Sequence, residues 1–275
     1  MGRDSRSVLS RWAPPPDATV AYGEHPDQVV DIRRPTGRSR GLVVFLHGGF
    51  WRHEYDRTHT GPLTTALAAA GFTVAIPEYR RTGAPGGGWP GTFDDVAAAV
   101  RSAPALVANV TGEQMTGEQT KERVILAGHS AGGHLALWAA AGLARDGLPL
   151  TGVVGLAPVA DLREAYRLDL DGGAVVALLG GGPDDVPPRY AAADPVALVP
   201  LGVRQVLCHG GRDRLVPPEL SRRYVDSART AGDDVHLLES PQADHFDLID
   251  PDSLIWPEVV RAFALLAPPE ASPLR

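Results

Sequence analysis

The stretch VILAGHSAGGHLALWAA, residues 124–140, constrains the fold of this chain more than any other. Its apolar start, Val124 to Ala127, reads as a buried strand, and its Ala/Leu-rich continuation, Gly132 to Leu143, reads as an amphipathic helix. Only Gly128-His129-Ser130-Ala131-Gly132 lies between them. A chain that passes from strand to helix in so few residues must turn sharply, and the flanking glycines let the turn close without a Cβ clash. Ser130 is thereby presented above the strand end. The amides and dipole of the helix N-terminus behind it favour a developing negative charge there.

The rest of the chain repeats this alternation. Short apolar runs at Val29 to Arg33, Leu42 to Leu46, Thr73 to Ile76, Val153 to Leu156, Val206 to His209 and Val235 to Leu238 read as further strands. Helical segments are expected at Leu63 to Ala70, Phe93 to Arg101, Glu219 to Thr230 and Leu254 to Leu266, and Gly71, Gly147 and Gly232 stand where C-caps belong. Strands that are apolar throughout are covered on both faces, so the expected class is α/β: a mostly parallel sheet between two helical layers, in one domain spanning residues 1–275. Two stretches break the rhythm. Thr111 to Thr120 repeats TGEQ and reads as a surface loop. Residues 161–200 are too long for a simple connection and are expected to form a small cap or lid over the site.

Three more segments complete a candidate catalytic constellation. The strand GLVVFL runs into His47-Gly48-Gly49-Phe50-Trp51, where glycines permit main-chain amides to approach a carbonyl oxygen closely. The amides of Gly49, Phe50 and Ala131 are the candidate oxyanion donors. VLCHGGRDRLVP places Asp213 after a late buried strand, suited to accept the Nδ1 proton of an imidazole. LLESPQADHFDLID places His245 just after the last strand, completing the chain order Ser, Asp, His. Asp244 and Asp247 flank His245 too closely to orient it. His209 and His236 read as structural, and His134 as a polar residue near the site or on the helix surface.

Composition narrows the alternatives. A formal net charge of -7, with both signs interspersed, provides no basic face for nucleic acid. Cys208 is the single cysteine, so neither a disulfide nor a thiolate metal site has a second thiol, and it reads as a small buried hydrophobe. His53-Glu54-Tyr55-Asp56-Arg57 lacks the second histidine of a zinc helix, and GAPGGGWPG lacks the Lys-Ser/Thr of a phosphate loop and reads as a flexible loop. No metal or cofactor is implied. The charged, Pro-rich start lacks a signal-peptide apolar region, and no run approaches the ~18 apolar residues of a membrane span. A cytoplasmic location with no membrane partner is the resulting expectation; oligomeric state is not readable.

With these motifs assembled, the chain resembles the α/β-hydrolase superfamily over nearly its whole length. It is most similar to the hormone-sensitive-lipase-like esterases and to the arylformamidase (kynurenine formamidase) group, which carries His-Gly-Gly-aromatic-Trp as here at His47 to Trp51. Glu78-Tyr79-Arg80 and Gly88 to Pro90 also look like bacterial members. The resemblance implies a serine hydrolase acting through an acyl-enzyme on a small-molecule ester or amide, with N-formylkynurenine-like substrates or carboxylic esters as the two alternatives. A hydrolase fold retired to non-catalytic ligand binding is a third. Phe50, Trp51, Tyr79 and Trp89 are the expected substrate-binding wall.

Overall fold

The computed structural model describes residues 4–112, 124–147 and 150–267. Eight strands form one sheet: β1 (Ala18–Ala21), β2 (Val29–Arg33), β3 (Leu42–Leu46), β4 (Thr73–Pro77), β5 (Val124–His129), β6 (Gly152–Leu156), β7 (Gln205–Gly210) and β8 (Val235–Ser240). Their spatial order is β1-β2-β4-β3-β5-β6-β7-β8. β1 and β2 are antiparallel additions at one edge, and every pairing from β4 to β8 is parallel. The seven strands read from the sequence are all present. β1 escaped that reading because it is a four-residue edge strand with only every second side chain half-covered.

Period-two alternation divides the core between the sheet's two faces. On β3, Leu42, Val44 and Leu46 join one cluster and Val43 and Phe45 the other. The first face carries α2 (Gly91–Thr111), α3 (Ala131–Arg145) and α8 (Glu219–Thr230); the second carries α1 (Gly61–Ala69) and α9 (Trp256–Leu266). α2 outruns its expected end at Arg101 and continues through Pro104, because Ala103 and Val107 stay buried against the sheet. Gly71, Gly147 and Gly232 all adopt the positive φ of a residue just past a helix end. The run GAPGGGWPG is a tightly packed turn: a Cβ on Gly91 would lie 1.9 Å from the Gly86 carbonyl oxygen.

Residues 161–200 fold into four short helices, α4 (Leu162–Arg167), α5 (Ala174–Leu179), α6 (Pro187–Ala193) and α7 (Pro195–Leu198), whose apolar side chains join the first-face core. Buried Asp194 ties the segment together by accepting the amides of Leu162 and Arg163 at 2.9 and 3.3 Å. The TGEQ repeat falls largely outside the described residues. Among the described residues no helix is long and apolar enough to cross a membrane.

Parallel pairing delivers the C-terminal ends of β3, β5, β7 and β8 to the same edge of the sheet, where the loops carrying the candidate residues begin. The second-face core that supports this arrangement centres on Phe263, fully buried and 6.1 Å from the ring of Phe72. Phe263→Ala is expected to lower the unfolding free energy by about 3–5 kcal/mol, measured by chemical denaturation, with the sheet retained.

Candidate active site

Ser130 occupies the single residue between β5 and α3, at φ 57 and ψ -120, a strained conformation for a side chain with a Cβ. Three main-chain bonds hold it there: its amide donates to Leu156 O at 2.8 Å, and its carbonyl accepts from His134 at 3.1 Å and Val159 at 3.3 Å. The glycines around it answer to contact. A Cβ on Gly128 would lie 2.2 Å from Gly132 O, and one on Gly132 would lie 2.0 Å from Leu46 O.

The His47-Gly48-Gly49 loop lies directly against this turn. β3 and β5 are neighbours, with Leu46 opposite Gly128. A Cβ on Gly48 would be 3.2 Å from the Ser130 Cβ and 2.9 Å from His129 O. Gly49, Phe50 and Trp51 have φ of 109, 49 and 59, and Arg52 N donates to Gly49 O at 3.0 Å to close the turn. Ala131 is the first residue of α3, where an amide has no intrahelical acceptor.

Behind the loop lies a buried polar network. The His47 ring bonds Glu78 Oε1 at 2.8 Å through Nε2 and stacks on Tyr79 at 4.5 Å. The Tyr79 hydroxyl donates to His47 O at 2.7 Å, and the Arg57 amide to Glu78 Oε2 at 2.9 Å. Burial opposes ionisation of Glu78, but His47, Arg81 and the Arg57 amide outweigh it and hold the carboxyl below its ordinary range. The loop is thus braced from within the core.

His245 reaches the site because the loop after β8 folds back over the one after β7. Gly211 N donates to Ser240 O at 2.8 Å and Arg212 N to Ala243 O at 2.9 Å, while a Cβ on Gly210 would lie 2.5 Å from Ala243 O. His245 Nδ1 then meets Asp213 Oδ2 at 2.6 Å. Asp213 Oδ1 accepts the amides of Leu215 and Val216, each at 2.9 Å, and His209 Nε2 lies 3.3 Å from Oδ2. Burial alone would raise the Asp213 pKa, but the bonds to His209 and His245 prevail and hold it well below the usual carboxylate range. It therefore stays an acceptor. His129, whose ring is 4.4 Å from that of His245, bonds the His245 carbonyl at 3.0 Å through Nε2. Burial, reinforced by His245, pushes the His129 pKa down, so the ring is neutral and donates.

Ser130, His129 and His245 line one cavity of about 450 Å³ together with Gly49 and Phe50. Its walls also include Tyr55, His59, Phe246, Leu215, Asp171 from the 161–200 segment, and Arg6, Leu9 and Ser10 from the N-terminal arm. Of the four expected wall residues only Phe50 is there. Trp51 is buried in the core, its indole N–H donating to His134 Nδ1 at 3.2 Å; Tyr79 is buried behind the His47 loop; Trp89 packs on Phe93 at 5.0 Å. Three successive left-handed residues turn Trp51 inward, a reversal no local pattern announces. The arm went unnoticed because its only cue is Val8-Leu9 in a polar stretch.

His134 is neither at the cavity nor on the surface. Fully buried, it accepts from Trp51 and bonds Ala193 O at 2.9 Å through Nε2. Cys208 is buried, which pushes its thiol up to about 12.

Strand order and the strand-turn-helix at Ser130 define an α/β-hydrolase fold, and residues 43–177 match the family model described as alpha/beta hydrolase fold. The chain carries that domain. It is 29% identical over 253 residues to Esterase LipC of Mycobacterium tuberculosis (strain ATCC 25618 / H37Rv), an alignment covering 84% of this chain and 60% of that relative. It is 30% identical over 119 residues to Kynurenine formamidase of Salmo salar, covering 42% of this chain and 36% of the relative. Both relatives are longer proteins of which this chain spans less than two thirds. Among solved structures, Bacterial Heroin Esterase superposes with a TM-score of 0.71 at 23% identity, covering 90% of this chain and 82% of that one.

The His134 bonds require a neutral ring, and burial lowers its pKa from 6.5 to about 4. The unfolded chain takes up this proton near 6.5 and the folded chain only near 4. The stability it contributes is therefore complete above pH 6.5 and is lost as pH falls toward 4, by roughly 3 kcal/mol. Denaturant unfolding at about pH 7 and pH 4 is expected to show a loss smaller by that amount in His134→Gln than in the wild type.

Proposed function

We propose that this protein is a serine hydrolase that cleaves a small ester or amide through an acyl-enzyme, with Ser130 as nucleophile, His245 as general base and Asp213 as the orienting acid. One observation carries the reading. His245, bonded at 2.6 Å to a carboxylate held ionised, lines the same cavity as a strained Ser130 set at a helix start against a Gly-Gly loop.

The reaction follows from these positions. As Ser130 Oγ attacks the carbonyl carbon, His245 Nε2 takes its proton, and Asp213 supports the imidazolium formed. The carbonyl oxygen becomes an oxyanion held by the amides of Gly49 or Phe50 and Ala131. The bond to the leaving oxygen or nitrogen breaks as His245 returns the proton to that atom. Water then attacks the acyl-enzyme, giving its proton to His245; Ser130 recovers a proton and the acid departs. Asp171, held by Arg52 at 2.5 Å, is the point at which residues 161–200 act as a small cap on the cavity.

Two substrate readings have separate support. A carboxylesterase is favoured by similarity to an esterase along most of the chain. An arylformamidase is favoured by the His47-Gly48-Gly49-Phe50-Trp51 loop and by similarity to a kynurenine formamidase over a shorter stretch. In the first, nitrophenyl acetate or butyrate is turned over well and N-formylkynurenine is not; the second reverses the order, and comparing their kcat/KM values decides.

Ser130→Ala is expected to fold, with an unchanged circular dichroism spectrum, and to lose roughly four to six orders of magnitude in kcat on whichever substrate is used. Turnover at the wild-type rate would remove Ser130 from the mechanism.

A further inference from the structure

The N-terminal arm reaches the site as a short 3-10 helix, Ser5–Ser10, and is fastened in three places. Val8 is fully buried in the second-face core. The Ser5 hydroxyl donates to Asp244 at 2.7 Å, and Arg11 donates to Asp250 at 2.7 and 2.9 Å and to Asp252 at 2.8 Å. All these acceptors belong to the stretch that starts beside His245. Arg6 is consequently carried to the cavity wall, where it is exposed and its guanidinium lies 5.2 Å from the centre of the Phe246 ring.

Past His245 and Phe246 lies a second hollow of about 660 Å³, with Arg6, Arg212 and Arg214 on its rim. Arg212 donates to Gln242, and among the described residues none of the three arginines is in an ion pair. The carboxylates that line the same hollow accept other donors. Asp4 accepts the Arg6 amide, Asp244 accepts from Ser5 and from the amides of Phe246 and Asp247, Asp247 accepts the Asp244 amide, and Asp252 holds Arg11. Across the first cavity, Asp171 pairs with Arg52, Asp56 accepts from Thr58, and Glu54 lies 3.4 Å from the His53 ring. Three guanidinium groups whose donors are not spent on an ion pair among the described residues therefore stand on the side of His245, in a hollow that Asp4, Asp244, Asp247 and Asp252 also line.

That side has a chemical meaning, since His245 is the group that hands a proton to the departing atom. Guanidinium groups bind carboxylates and phosphates through paired, charge-assisted hydrogen bonds. Resting on the serine-hydrolase reading above, we propose that Arg6, with Arg212 and Arg214, forms a binding site for an anionic group on the leaving half of the substrate. The substrate class is then an ester or amide whose alcohol or amine carries a carboxylate or a phosphate.

The test compares kcat/KM for phenyl acetate, para-acetoxybenzoate and para-acetoxyphenyl phosphate, which share one acyl group. Substituents alter intrinsic reactivity equally for every variant, so the quantity read is the anionic-to-neutral ratio relative to wild type. In Arg6→Gln this ratio is expected to fall about tenfold, mainly through KM, to fall further in Arg6→Gln/Arg214→Gln, and to recover in Arg6→Lys. The anion with the larger fall identifies the preferred group. Ratios unchanged in both Gln variants for both anions overturn the proposal while leaving the hydrolase reading intact. If the wild type cleaves N-formylkynurenine and none of the three esters, the same ratio is read on it against formanilide; failure to cleave any of these substrates, with no fluorophosphonate adduct on Ser130, overturns both.

Discussion

The turn at Ser130 is the constraint from which the rest of the site follows. Its backbone is held in a conformation that residues with a Cβ rarely adopt, by bonds to Leu156 and Val159 at and just past the end of β6 and to His134 in the following helix. Such strain persists only where the surroundings over-determine it. Here they do so through absent side chains as much as through bonds, since neither Gly128 nor Gly132 has room for a methyl group. The same close packing brings the His47-Gly48-Gly49 loop alongside the serine, so the proposed nucleophile and the proposed oxyanion donors are placed by a single contact between neighbouring strands. Electrostatic stabilisation of this kind depends on donors fixed before reaction, which is what the core network of His47, Glu78 and Tyr79 supplies.

The histidine is positioned by a different device. Asp213 takes two main-chain amides on one oxygen and His245 on the other, with His209 close by, so its charge survives burial. His129 holds the His245 main chain from below, and the N-terminal arm ties down the residues that follow it. The proposed base therefore sits between a buried carboxylate and a fastened loop. Its two restraints come from opposite ends of the chain, which makes the arm a part of the site's architecture as well as of its wall.

Much of this was readable from residue order, and the failures have physical causes. Apolar runs identified β3 to β7 because these central strands are buried on both faces and leave no polar positions to confuse the pattern, while β2 and β8 were read from shorter runs that carry polar residues. Ser130, Asp213 and His245 were singled out because each follows one of these strands, and the structure places Ser130 and His245 on one cavity with Asp213 bonded to His245. The aromatic wall was misplaced because Trp51, Tyr79 and Trp89 sit in loops, where direction depends on backbone handedness. The left-handed turn at residues 49–51 sends Trp51 toward His134 and leaves Phe50 at the cavity. Arg6, Leu9, Tyr55 and Phe246 took those places through long-range packing. Such contacts have no signature in local spacing.

The central claim is that a hydroxyl is made nucleophilic at residue 130 by a histidine and an aspartate gathered from distant segments. Incubation of the folded protein with a fluorophosphonate, followed by intact mass measurement and peptide mapping, tests it directly. The account predicts one phosphonyl adduct per chain, on Ser130, that does not form after denaturation. A folded sample that gains no adduct, or one that gains it on another residue, would contradict it.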